Sequence, residues 1–144
     1  MNHDSYSDAY IKDVLTDART VAVVGASPNA GRASFGVMNL LIAKGHKVIP
    51  INPGHAGGEI LGQMVYASLA AVPGPVDMVD IFRKTADAIG VVREAIAQRE
   101  RLGLKSVWTQ LDIRDDAVAA EAEAAGLKVV MDRCPAIEYR RLGL

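Results

Sequence analysis

Short blocks of β-branched and aliphatic residues recur along the chain, separated by stretches with helical spacing. Val21–Val24, Lys47–Asn52, Val76–Phe82, Ser106–Leu111 and Lys128–Asp132 are nearly continuous apolar runs, the pattern of strands covered on both faces. Between them, Val37, Leu40 and Leu41 mark the inner face of a helix over Ser34–Lys44, and Ile89, Val92 and Ile96 that of a longer helix over Thr85–Leu102. An alanine-rich helix begins at Asp115 or Asp116 and runs to Ala125, its acidic start suited to the helix dipole. Gly45, Gly103 and Gly126 follow these three segments as stops. Ahead of the first strand, Ile11, Val14, Leu15 and Ala18 fall at i, i+3, i+4, i+7 behind a cap at Ser7 or Asp8. They predict an amphipathic helix within residues 1–19, packed on the domain. Ile60–Leu69 reads as a connecting segment with a helical turn, and the tail from Cys134 to Leu144 as holding a last turn of helix. Pro50 is tolerable near a strand end but odd in the interior of a central strand.

Strands that alternate with helices five times predict a single α/β domain over 1–144, a doubly wound, Rossmann-like, five-stranded parallel sheet. In such a fold the ligand crevice lies past the carboxyl ends of the strands, where strand order reverses. Here those ends carry Gly25–Ser27, Asn52–Pro53, Phe82–Arg83, Thr109–Leu111 and Asp132–Cys134.

The first of these ends carries the most chemistry. A buried strand breaks at Gly25, passes through Ala26, Ser27 and Pro28, then reaches Arg32 and a helix cap at Ser34. Gly25 permits a sharp turn and close backbone approach, and the following helix offers unpaired amides at the positive end of its dipole. Arg32 adds a permanently charged fork. This is a phosphate-binding design, although Ser27 and Ala30 stand where the dinucleotide fingerprint requires glycines, and the Walker Gly-Lys-Ser/Thr is absent. The carboxylate that grips an NAD ribose is also missing, its place at the end of the second strand being taken by Asn52. NAD is therefore the second choice of nucleotide.

Composition narrows the surroundings of such a site. A net charge of −1 gives no bulk attraction to nucleic acid or to acidic membranes, so an anion site has to be built locally. No apolar run is long enough to span a bilayer, the polar N-terminus is unlike a secretory signal, and the single cysteine allows no internal disulfide framework. The expected location is cytoplasmic. His3 and His46 have no partners at metal-ligand spacing and read as surface residues, and Trp108 reads as core. Arg83 has two readings, a ligand contact or a surface pair with Asp80 or Asp87.

Taken together, Val24-Gly25-Ala26-Ser27, Arg32-x-Ser34, Val48-x-Pro50-x-Asn52-Pro53, Val76-Asp77-x-Val79-Asp80-x-Phe82-Arg83, Trp108-x-Gln110 and Met131-Asp132-Arg133-Cys134 resemble the stand-alone CoA-binding protein family. That family's fold is similar to the amino-terminal domain of the succinyl-CoA ligase α subunit. The likeness spans residues 20–139. It implies coenzyme A, or a short acyl-CoA, as the ligand. The implied contacts are Gly25, Ala26, Ser27, Pro28, Arg32 and Ser34 at the phosphates, Asn52 and Pro53 at the adenosine end, and Phe82, Arg83 and Gln110 along the path to the thiol. Cys134 would lie near the thiol itself. Two departures stand out: His55 replaces the lysine of the ligases' glycine-rich turn, and Asp112 stands where the family usually shows glycine.

The resemblance implies a non-catalytic carrier, sensor or regulator, because the ligases' second domain and any assembled catalytic set are missing. The alternatives are an enzyme acting on a CoA thioester, with Cys134 or Asp132 at the reactive end, and an NAD- or nucleotide-sensing module. A third is an interaction module with a vestigial pocket. The expected partner is a small molecule rather than nucleic acid or membrane, and the sequence leaves open whether copies of the chain assemble.

Overall fold

A computed structural model describes residues 1–144. Five parallel strands, β1 (Thr20–Val24), β2 (Lys47–Ile51), β5 (Met78–Ile81), β6 (Ser106–Thr109) and β7 (Lys128–Val130), form one sheet in the order β2-β1-β5-β6-β7. The chain winds outward from β1 to β2, then returns to β5 on the other side of β1 and continues to β7. Strand order therefore reverses between β1 and β5, and the crevice opens there.

Both faces of the sheet are covered, which is why its strands are apolar throughout. Ala22, Val24, Val79, Ile81, Val107 and Val129 pack under α3 (Thr85–Leu102) and α4 (Asp116–Ala124). Val21, Val23, Val48, Met78, Trp108 and Val130 face α1 (Asp8–Asp17), α2 (Ala33–Ala43) and α5 (Pro135–Leu142). The helix ends follow the local signals. Ser7 Oγ accepts from the Tyr10 amide at the start of α1, and Gly103 closes α3 in the left-handed conformation at φ 74°.

The structure refines the sequence reading in the segment before β5, in the tail and at the start of α2. Residues 59–64 of the connecting segment form a small antiparallel hairpin, β3 (Glu59–Ile60) and β4 (Gln63–Met64), and the helical turn falls at the segment's end, a 3₁₀ turn over Leu69–Ala71. Leu61 and Gly62 make its tip, both at positive φ. The tail is a full two-turn helix, α5, opened by Pro135 and closed by Gly143. The cap position of α2 belongs to Arg32, not Ser34, which sits buried within the first turn. Pro50 is explained by the sheet order, because β2 is an edge strand of the main sheet. Its carbonyl accepts from the Tyr66 amide on the side away from β1, and there the missing proline N–H interrupts no ladder.

The histidines are also placed differently. His3 is only 4% exposed, bonded through Nδ1 to the Tyr6 hydroxyl (2.7 Å) and through Nε2 to Glu123 (2.9 Å). His46 bridges the Ala18 carbonyl and the Tyr139 hydroxyl. The His3–Glu123 contact ties the N-terminal segment to α4, and two phenols tie it to β7. There the Tyr10 hydroxyl donates to the Val129 carbonyl and accepts from its amide (2.9 Å each), and the Tyr6 hydroxyl accepts from the Met131 amide at 2.9 Å. No helix is long and apolar enough to cross a membrane.

Candidate functional site

The carboxyl ends of β1, β2, β5 and β6 border one open cleft of about 580 Å³. Its floor begins at Gly25, at φ 86°, where any Cβ would overlap the Phe82 carbonyl oxygen. The Gly25 and Ala26 amides both donate to the Ile51 carbonyl (3.0 and 3.3 Å), which ties the turn to β2. Beyond it the loop holds itself in shape: Ser27 Oγ accepts from the Asn29 amide, and Asn29 Oδ1 accepts from the Gly31 amide.

At the start of α2, Arg32 provides no side-chain cap, and the Phe35 and Gly36 amides turn back onto its carbonyl. The Ala33 and Ser34 amides make no hydrogen bond within the protein, and both residues line the cleft. Uncapped amides at a helix N-terminus hold partial positive charge and suit an anion. The side chains agree in sign. Arg32, Arg83 and Lys84 line the cleft, none of them is in an ion pair, and no acidic residue joins them. A chain of net charge −1 thus concentrates unpaired cations at one cleft.

The residues singled out from the sequence divide into two groups. Gly25, Ala26, Ser27, Arg32, Ser34, Asn52, Phe82, Arg83 and Gln110 come together around the cleft. Pro28 and Pro53 lie outside its lining, Pro53 opening a short 3₁₀ turn over Pro53–His55. Cys134 is elsewhere. It starts α5, which packs on α2, so its side chain joins Ala33, Val37, Leu40, Tyr139 and Arg140 in a separate groove of about 530 Å³. Asn52 serves as a brace, its Nδ2 donating to the Ala26 carbonyl (2.7 Å) and its Oδ1 accepting from the Gly54 amide (2.9 Å). Four further residues complete the lining: Ala33, His55, Lys84 and Ile113. Lys84 was detectable as the residue after Arg83 at a strand end. Ile113 reaches the cleft only through the turn after β6.

Behind the cleft lies Asp80. One of the two readings of Arg83 pairs it at the surface with Asp80 or Asp87, but Asp80 is fully buried in β5, level with Val23 on β1 and Trp108 on β6. Gln110 Nε2 donates to its Oδ1 at 2.5 Å and to the Ile81 carbonyl at 3.3 Å, while Oδ2 has no partner. Burial pushes the Asp80 carboxyl up to about 7, against the opposing effect of the Gln110 hydrogen bond. Trp108 is core, its indole N–H donating to the Arg133 carbonyl at 2.9 Å. Asp112 adopts φ 66°, the region that favours glycine, and its amide is held by Asp132 Oδ1 at 2.6 Å. No group of three or more His, Cys, Asp or Glu side chains is placed to hold a metal ion.

Residues 19–140 match the model of a family described as CoA binding domain. The chain belongs to that family. Over 128 residues it is 30% identical to the protein YneT of Bacillus subtilis (strain 168), covering 89% of this chain and 90% of that one. A structure from Pyrococcus horikoshii OT3 superposes with a TM-score of 0.88 at 33% identity, covering 100% of this chain and 97% of that one. One from Thermus thermophilus superposes with a TM-score of 0.86 at 34% identity, covering 95% and 99%. Membership of the CoA-binding domain family supports a CoA-binding role for the protein, and the uncapped amides and free cations of the cleft suit a phosphate-rich ligand.

Proposed function

We propose that this protein binds coenzyme A, or a short acyl-CoA, across the carboxyl ends of its parallel strands, and serves as a carrier, sensor or regulator rather than as a catalyst. The observation that carries the reading is the convergence of the free Ala33 and Ser34 amides with Arg32, Arg83 and Lys84 in a cleft without carboxylates. The pyrophosphate sits at the N-terminus of α2, with the Gly25–Pro28 turn beside it and Arg32 over it. The adenosine end lies towards Asn52, Pro53 and His55. Phe82, Arg83 and Gln110 border the way taken by the pantetheine arm. Cys134, in its own groove beyond Ala33, takes no part in holding the nucleotide.

Thermal unfolding with CoA, dephospho-CoA, NAD and ATP tests the assignment. At a hundredfold excess over its dissociation constant, a ligand specific to the folded state adds ~2.7 kcal/mol. CoA is expected to give the largest rise in melting temperature. A larger rise with NAD than with CoA refutes the reading.

A further inference from the structure

The buried Asp80–Gln110 pair has a direction built into it. A carboxamide can present either its nitrogen or its oxygen to a neighbour, and its surroundings decide which. Here two acceptors, Asp80 Oδ1 and the Ile81 carbonyl, both face the same end of the Gln110 side chain. That end must be the amide nitrogen, since the opposite orientation would set oxygen against both. The oxygen, Oε1, makes no hydrogen bond within the protein, and Asp80 Oδ2 is the sole buried side-chain polar atom without a partner. Oε1 is therefore open, on a residue that lines the cleft. The cost of this arrangement is evident at Asp80, where a carboxyl occupies a position flanked by Val23 and Trp108 and leaves one oxygen unsatisfied.

We infer that Asp80 is a positioning residue that fixes Gln110 as a hydrogen-bond acceptor, and that Gln110 Oε1 receives an N–H from the amide-bearing arm of the bound ligand. The inference rests on the proposed CoA site. β6 lies two strands from β1, about 10 Å along the sheet at the usual spacing, and on the side away from β2. Gln110 is thus beyond the phosphate turn and opposite the adenosine end. Past the phosphates on that side, the N–H donors CoA offers are the two amides of pantetheine. An acceptor locked towards the cleft reads such an amide and gives nothing to an arm that lacks one.

Calorimetry on the full chain tests this with two ligands, CoA and the adenosine bisphosphate fragment of CoA, which lacks the pantetheine arm. Gln110→Leu removes the acceptor, Asp80→Val removes the anchor, and Asp80→Asn retains a carbonyl that can accept from Gln110 Nε2. One hydrogen bond of this kind is worth about 3- to 10-fold in affinity. Gln110→Leu and Asp80→Val are each expected to weaken CoA by that factor and leave the fragment unchanged, while Asp80→Asn binds CoA as the wild type does. Equal losses for both ligands, unchanged CoA affinity in Gln110→Leu, or an Asp80→Asn as weak as Asp80→Val overturns the inference. Should Asp80→Val fail to fold, Gln110→Leu at the cleft rim together with Asp80→Asn still decides it. A wild type that binds CoA while the variants fail the pattern sinks this inference alone; a wild type that does not bind CoA sinks the proposed site with it.

Discussion

Replacing Asp80 with asparagine should change how stability depends on pH. The wild-type carboxyl is raised from 3.8 to about 7 because it is wholly buried, so the folded state holds its proton more tightly than the unfolded chain does. Between those values the native state binds more protons than the unfolded state, and stability must fall as pH rises. Below the unfolded value the carboxyl is neutral in both states and no charge is buried. Above about 7 it is charged in both, and the full cost of burying the charge is present. At about 1.4 kcal/mol for each pH unit separating the two values, that cost approaches about 4 kcal/mol, of which about 3 develops between about pH 5 and pH 8. Asparagine has no charge to bury, but its amide N–H₂ meets no acceptor where Oδ2 now lies, a cost of roughly 1–3 kcal/mol at every pH. The informative quantity is therefore the slope. Urea unfolding of both proteins across this range is expected to show the stability of Asp80→Asn gaining on the wild type by about 3 kcal/mol from acid to alkaline pH. Parallel profiles for the two proteins would refute the argument, since contributions from every other group are shared.

Two further outcomes follow from the phosphate turn. Gly25→Ala forces a Cβ against the Phe82 carbonyl at a φ of 86°, and is expected to lower stability by about 2–4 kcal/mol in chemical denaturation; a fully stable variant would show that the β1–β5 crossing is looser than described. Arg32→Ala, at an exposed and unpaired cation, should weaken CoA by about 1.5–3 kcal/mol in calorimetry while shifting the melting temperature little. Unchanged affinity would remove Arg32 from the site.

The sheet was legible in the sequence because its strands are covered on both sides, so apolar runs stood out against helical spacing and glycine stops. The hairpin at residues 59–64 was not, since strands of two residues have no period to detect and Leu61 is an unusual choice for a left-handed turn position. α5 was seen only in part, because it is short and its inward side includes a charged residue, Glu138, paired with Arg141 beside Tyr139. The cleft was readable at strand ends, where chain direction dictates what converges. The surface alternative for Asp80 arises because a carboxylate in a strand reads as solvent-facing, and only the pairing of β5 with β1 and β6 reveals it to be enclosed. Cys134 follows the carboxyl end of β7, yet the chain there turns under α2, so nearness in sequence to a strand end did not place it in the crevice.

The phenol groups along β7 have a bearing on self-association. A parallel sheet left open at its sides offers rows of amides and carbonyls to which another chain can add. Here the Tyr10 hydroxyl takes both polar groups of Val129, and Tyr6 takes the Met131 amide, so two side chains stand in for a sixth strand. At the other side, Tyr66 occupies the Pro50 carbonyl and the Asn52 amide, and proline removes one donor outright. At the β7 margin the covering groups are side-chain hydroxyls, which cannot extend a ladder, and at the β2 margin they are the backbone of Tyr66, bridged in parallel to Ile51. The N-terminal ten residues thereby cover polar groups that the outer margin of β7 would otherwise present to another strand.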